Sequence, residues 1–171
     1  MQKEGLDRSC GDCLLCCKLP EIPSLNKPRL KWCNNAKLGF GCSIYVERPH
    51  ECRSFHCLWL MDQSLGEEWH PSRSRFYLAP KPNGNLVVTV DPSSPLSWRE
   101  PRYFTWLREI GTQLLNNGKY VLVIVGKKAF IILPHREIET TLPPDGYELT
   151  IREVRNGVQV NFEVVVVPAT R

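Results

Sequence analysis

No cysteine follows Cys57: the 114 residues from Leu58 to Arg171 contain none. Any thiol chemistry is therefore confined to the first third of the chain. Long apolar runs are missing too. Stretches such as Val121 to Val125 fall far short of the ~20 residues that a membrane-spanning helix needs, so no membrane partner is expected. Met1 to Arg8 is polar and charged, and no apolar stretch of signal-peptide length precedes Cys10. This start reads as cytoplasmic. The 22 basic and 18 acidic residues are scattered, and no basic run exceeds the pair Lys127 and Lys128, which gives no nucleic-acid signature. Also absent are a G-x-S-x-G elbow, a P-loop, and a His and carboxylate at a recognisable spacing. There is no internal repeat or low-complexity segment. Nucleophilic catalysis has no support, and a catalytic cysteine would have to be one of those in the first third.

What the chain does have is eight cysteines between Cys10 and Cys57, in the order C-x2-C-x2-C-C-x15-C-x8-C-x9-C-x4-C. Four of them, Cys10, Cys13, Cys16 and Cys17, lie within eight residues. Such density suits thiolates converging on soft or borderline metal ions. A disulfide framework is the rival reading for an even cysteine count, but stable disulfides are uncommon in a reducing compartment. Ordinary buried thiols are the third account, and eight in one cluster argue against it.

Charge and size agree with a metal. The formal charge of +4 counts the cysteines as neutral, whereas ligation deprotonates them. Eight thiolates with two Zn2+ bring the chain near zero. A chain of 171 residues is long enough to bury a core without metal. Residues 1–60, by contrast, are poor in apolar runs and need the cluster to order them.

The chain divides into a cysteine-rich metal-binding lobe over residues 1–60, a connection over 61–74 and a sheet domain over 75–171. In the lobe, Pro20, Pro23, Pro28, Gly39, Gly41 and Pro49 rule out long regular elements. One or two helical turns at its start would present Cys10, Cys13, Cys16 and Cys17 together. Beyond it, Arg75 to Ala79 and Leu86 to Val90 flank a Pro82-Asn83-Gly84-Asn85 turn, and Pro80 and Pro82 place the first run at a sheet edge. Pro101 to Asn117 is the one clear helix, with Tyr103, Leu107, Ile110 and Leu114 as its apolar stripe. Its start is either a Ser97/Glu100 capping box or Pro101 at the first helical position. Val121 to Val125 and Ala129 to Leu133 read as a mid-sheet hairpin. Tyr147 to Arg155 and Val158 to Val167 flank Asn156-Gly157, a type I′ turn signal, and their phases agree only with a bulge near Arg152 or Glu153. The expected fold is α+β: the lobe packed on a largely antiparallel sheet of about six strands with one main helix.

The adjacent Cys16 and Cys17 direct their side chains along divergent lines, so they belong to different sites. Eight thiolates then make two four-ligand sets, and a Zn2+ closed by four protein ligands is structural. Two zinc ions per chain is the leading count. Cys52 and Cys57 could act as a local pair, but the sequence leaves membership of the sets open. Iron–sulfur is the alternative, since Cys10, Cys13 and Cys16 match the first three positions of a ferredoxin-type run whose fourth fails here. His50 and His56 flank Cys52 and Cys57 and could replace a thiolate. His70 and His135 read as ordinary.

The cysteine order, with Gly41-Cys42-Ser43-Ile44-Tyr45, Arg48-Pro49, Cys52-Arg53 and Phe55, resembles the zinc- or iron-chelating family named for its C-x-x-C-x-x-C-C motif. The resemblance covers residues 10–60 and implies a metal site of Cys10, Cys13, Cys16, Cys17, Cys33, Cys42, Cys52 and Cys57, its metal left open. The family is also linked to flagellin lysine methylase, but the C-terminal two thirds offer no glycine-rich cofactor loop for a methyl donor. Arg48, Arg53, Tyr45 and Phe55 then read as support around the thiolates, with Arg hydrogen bonds offsetting sulfur charge. The functional expectation is a zinc protein whose lobe is ordered for interaction with another macromolecule, a protein of undetermined identity. Iron–sulfur enzyme or electron carrier, and metal storage or transfer, are the alternatives.

Overall fold

The computed structural model describes residues 8–156 and 159–169. The cysteine-bearing stretch is built from short pieces, as its prolines and glycines require. These are α1 (Leu15–Lys18), a two-pair hairpin of β1 (Ala36–Lys37) and β2 (Gly41–Cys42), and α2 (His50–Ser54). Two further short helices, α3 (Leu58–Met61) and α4 (Pro71–Ser74), lead into the sheet. The expected N-terminal helix is much shorter than the cysteine spacing suggested. Cys10 and Cys13 sit in a turn closed by the Cys13 amide donating to the Cys10 carbonyl at 2.9 Å, and Gly11 at φ 52 breaks any helical continuation. Only Cys16 and Cys17 are helical.

The remainder is α+β, with a five-stranded mixed sheet in the order β3-β4-β5-β6-β7 and a separate two-stranded hairpin of β8 and β9. The strands are β3 (Phe76–Pro80), β4 (Leu86–Val90), β5 (Val121–Val125), β6 (Lys128–Ile132), β7 (Glu137–Thr141), β8 (Tyr147–Asn156) and β9 (Gln159–Pro168). The β3–β4 and β5–β6 hairpins form as expected, with β3 at the edge and β5 central. The expected six-stranded sheet does not form, and β4 runs parallel to β5. The cause is α5 (Pro101–Leu115). It carries the chain back to the end from which β4 started, so the next strand can only be parallel.

Helix α5 starts with Pro101 at its first position and no side-chain cap, so the capping box is not used; Ser97 Oγ is left buried without a hydrogen-bond partner among the described residues. The helix lays Tyr103, Leu107 and Gly111 on the sheet. Gly111 permits a close approach there, since a Cβ would stand a tight 3.1 Å from the Ile132 carbonyl oxygen. On β8 and β9 the pairing runs unbroken from Tyr147↔Pro168 to Asn156↔Gln159. No bulge is present, and Val154 simply faces the other side. The Asn156-Gly157 turn lies outside the described residues.

One hydrophobic cluster spans both parts of the chain. Leu15, Leu19, Cys57, Trp59 and Leu60 pack in it with Phe76, Leu78, Val88, Val90, Leu107, Val121 and Val123. Trp69 belongs to it, edge-on to Phe76 and Tyr103 and tilted against Trp106 at 4.8 Å between ring centres. The opposite sheet face, with Val87, Leu122, Ala129 and Ile131, is partly covered by Leu149 of the β8–β9 hairpin.

Candidate metal centre

Seven of the eight cysteines, Cys10, Cys13, Cys16, Cys17, Cys33, Cys42 and Cys52, line one cavity of about 110 Å3. Cys57 lines an adjoining cavity of about 30 Å3 together with Cys10, Cys13, Cys16 and Cys52. Local folding explains the convergence. The Cys33 amide donates to the Cys17 carbonyl at 2.9 Å, which brings the hairpin segment back to α1. Gly41, at φ 99, lets the hairpin meet the Cys10–Cys13 turn so closely that a Cβ would lie 2.9 Å from the Gly11 oxygen. Cys57 directly precedes α3, whose Trp59 and Leu60 are core residues.

Arg8 fastens these pieces from outside the cavities. Its guanidinium donates to the carbonyls of Trp59, Asp62, Gln63 and Leu65 at 2.8–3.1 Å and lies over the Trp59 ring. The segment entering Cys10 is thereby held against the segment leaving Cys57.

All eight thiols are free, with no disulfide. Among the described residues no three His, Cys, Asp or Glu side chains stand in an arrangement that could hold a metal ion. The thiols converge on shared space without closing on a common centre. Their electrostatics divide them. Burial first, then charge on Cys57 and Cys10, pushes Cys13 up to about 11. Cys57 is raised by burial and by Cys10. Cys42 and Cys52 are raised by burial and by a second circle of neighbours, Cys17 and Cys33 for both and Cys42 also for Cys52. Cys16 and Cys17 join the two circles. Cys16 donates to Cys17, so Cys17 is lowered while Cys16 is raised. Cys52 and Cys57, a candidate local pair by spacing, face different neighbours.

Two cations serve the thiols. Arg48 lines both cavities, stacks over the Tyr45 ring at 3.6 Å, donates from Nε to the Tyr45 carbonyl, and favours the thiolate at Cys10, Cys17, Cys42 and Cys52. Tyr45 hydrogen-bonds the Cys10 sulfur, and Phe55 lines both cavities edge-on to Tyr77. The hydrogen bond of Arg48 goes to the Tyr45 carbonyl, and these three residues stand beside the thiols. Arg53 does not; it is exposed and lines neither cavity.

The second cation, Lys27, is one that sequence reasoning missed. It is 4% exposed and donates to the carbonyls of Lys18 and Pro20. Burial lowers its pKa, while charge on Cys33, Cys17, Cys16 and Cys52 acts the other way. Nothing in a lone Lys between Asn26 and Pro28 signals this. His70 was likewise read as ordinary, yet it lines the smaller cavity, edge-on to Trp59 at 4.4 Å and in contact with Ser72 Oγ at 2.7 Å. His50 and His56 line neither cavity; His56 instead meets the Ser54 carbonyl at 3.1 Å.

Comparison with protein-family models, curated proteins and solved structures returns no match to this chain. The resemblance in the cysteine pattern therefore stands on those residues alone.

Proposed function

We propose that this is a metal-binding protein whose eight cysteines take two zinc ions, ordering the cysteine-rich segment as a lobe that meets a partner. The observation that carries the reading is the convergence of all eight thiols on two adjoining cavities. The donor set fits the ion: thiolates are zinc's preferred structural ligands, and Lys27 and Arg48 stand ready to offset their charge. Their electrostatic neighbours favour one set of Cys10, Cys13, Cys16 and Cys57 and a second of Cys17, Cys33, Cys42 and Cys52; Cys16 and Cys17, expected to diverge, are hydrogen-bonded to each other in the structure and would part on loading. Loading would draw each set inward from its present spacing. Zinc closed by four thiolates supplies cross-linking, not a reacting position, and the resemblance to the zinc- or iron-chelating family is in keeping with that role.

Two observations sustain the alternatives. Seven cysteines share one 110 Å3 cavity, more room than a lone tetrahedral ion takes, as an iron–sulfur cluster would need. Six thiols are only half-buried, as metal storage or transfer would need. Elemental analysis of anaerobically purified protein, with an absorption spectrum of the same sample, tests all three. The zinc reading expects colourless protein with about two zinc ions per chain and slow exchange with a competing chelator. Brown protein containing iron and sulfide establishes the cluster instead, and rapid reversible exchange establishes transfer.

A further inference from the structure

Five of the nine large apolar side chains exposed among the described residues, Trp32, Leu38, Phe40, Tyr45 and Val46, fall within residues 32–46. The surrounding stretch from Ile22 to Val46 contains no Asp or Glu. Its basic residues are Lys27, which is buried, and Arg29, Lys31 and Lys37, which are exposed. The local fold sets these groups out in order. Lys37 to Phe40 is a tight turn joining β1 to β2, closed by the Phe40 amide donating to the Lys37 carbonyl at 2.9 Å, with Gly39 at φ 78. Leu38 and Phe40 stand at this tip, 73% and 91% exposed. Trp32 and Tyr45 stand at the base of the hairpin, beside the Cys33 to Cys42 segment, and remain partly covered.

We propose that this hairpin docks the protein on the surface of an anionic lipid bilayer. Leu38 and Phe40 enter the boundary between headgroups and acyl chains, Trp32 lies at headgroup level, and Arg29, Lys31 and Lys37 meet the lipid charge. Among the described residues no helix is long and apolar enough to cross a membrane, so the contact is peripheral. Spanning-length criteria do not test this mode. Charge disfavours a second copy as the occupant, because pairing this face with itself sets like charges together. A nucleic acid would leave Leu38 and Val46 without a stacking or hydrogen-bonding role. A folded protein would need a socket shaped to a protruding tip, whereas a fluid bilayer needs none. The inference puts a bilayer surface in place of the protein partner expected from the sequence, and it stands on exposure and charge, whichever ion the thiols take.

The test is sedimentation of the full chain with phosphatidylcholine vesicles, with and without about one third phosphatidylserine, its zinc content measured on the same sample. Binding is expected only to the anionic vesicles and to weaken with salt. Lys37→Gln should weaken it about fivefold, the equivalent of one interfacial charge. Phe40→Ser should weaken it at least about tenfold. Both positions are exposed, so unchanged circular dichroism and zinc content are expected for each variant. Zinc-loaded protein that stays in solution with anionic vesicles overturns the docking and leaves the zinc reading intact. Binding that survives Phe40→Ser also overturns it. A mass that rises with concentration in the absence of vesicles, and no longer does so in Phe40→Ser, assigns the face to a second copy instead. Zinc-free protein that still sediments supports the docking and removes the zinc reading.

Discussion

Lys18 and Asp91 meet across the junction of the cysteine segment and the sheet, with Nζ 2.7 Å from both carboxylate oxygens and the Asp91 side chain 4% exposed. Burial alone would raise the Asp91 pKa, but Lys18 and the Ser93 amide and hydroxyl outweigh it and hold the carboxyl below its ordinary 3.8. A depressed folded pKa means that the pair stabilises the protein above the unfolded value and loses this effect as pH falls through the folded value. Asp91→Asn leaves the Lys18 ammonium without its counter-charge and should cost about 2–3 kcal/mol at neutral pH. In urea unfolding the gap between native protein and variant should shrink below about pH 4; an equal gap at both pH values would show that charge is not the cause. Because Lys18 follows Cys17, the pair also fixes where α1 presents its two thiols. At this scale the sequence singled out the cysteines, Arg48, Tyr45 and Phe55, which the structure brings to the same two cavities. It did not identify Lys27, His70 or Arg8, because each acts through contacts with residues far along the chain or through burial, neither of which spacing encodes.

The elements differ in what holds them. β4 is buried throughout and β5 has Val121 and Val123 fully enclosed, and each such side chain contributes about 1.5–3 kcal/mol. The β1–β2 hairpin has two residue pairs and no apolar core of its own, below what a hairpin needs to stand alone. Chelator should therefore raise amide hydrogen exchange across residues 8–57 of the zinc-loaded protein by about two orders of magnitude or more, while β4 and β5 keep their protection. Equal protection with and without chelator would show that the segment orders itself. The hairpins β3–β4 and β5–β6 and helix α5 were legible because apolar period and turn residues are local signals. The four-cysteine helix misled because 3.6-residue spacing is equally compatible with a turn followed by one helical turn, and Gly11 decides for the latter.

For the whole molecule, the shared cluster joins the cysteine segment to the sheet through Leu15, Leu19, Trp59 and Leu60. Unfolding of the zinc-loaded protein should accordingly be one transition: tryptophan fluorescence and release of zinc to a coloured indicator should share a midpoint in denaturant. Release at a clearly lower midpoint would make the segment an independent unit. Leu60→Ala, which opens a cavity in that cluster, should lower both by an equivalent of about 2–4 kcal/mol. By itself the sequence determined the α+β class, the eight thiols gathered before Leu58, the edge position of β3 and the central one of β5. All of these follow from residue type and short-range pattern. Only the tertiary structure decided that β4 and β5 run parallel, that β8 and β9 leave the main sheet, which thiols neighbour which, and that Lys27 lies buried among them. Those depend on where a crossover helix returns the chain and on which distant segments exclude water together, and such long-range geometry leaves no trace in local spacing.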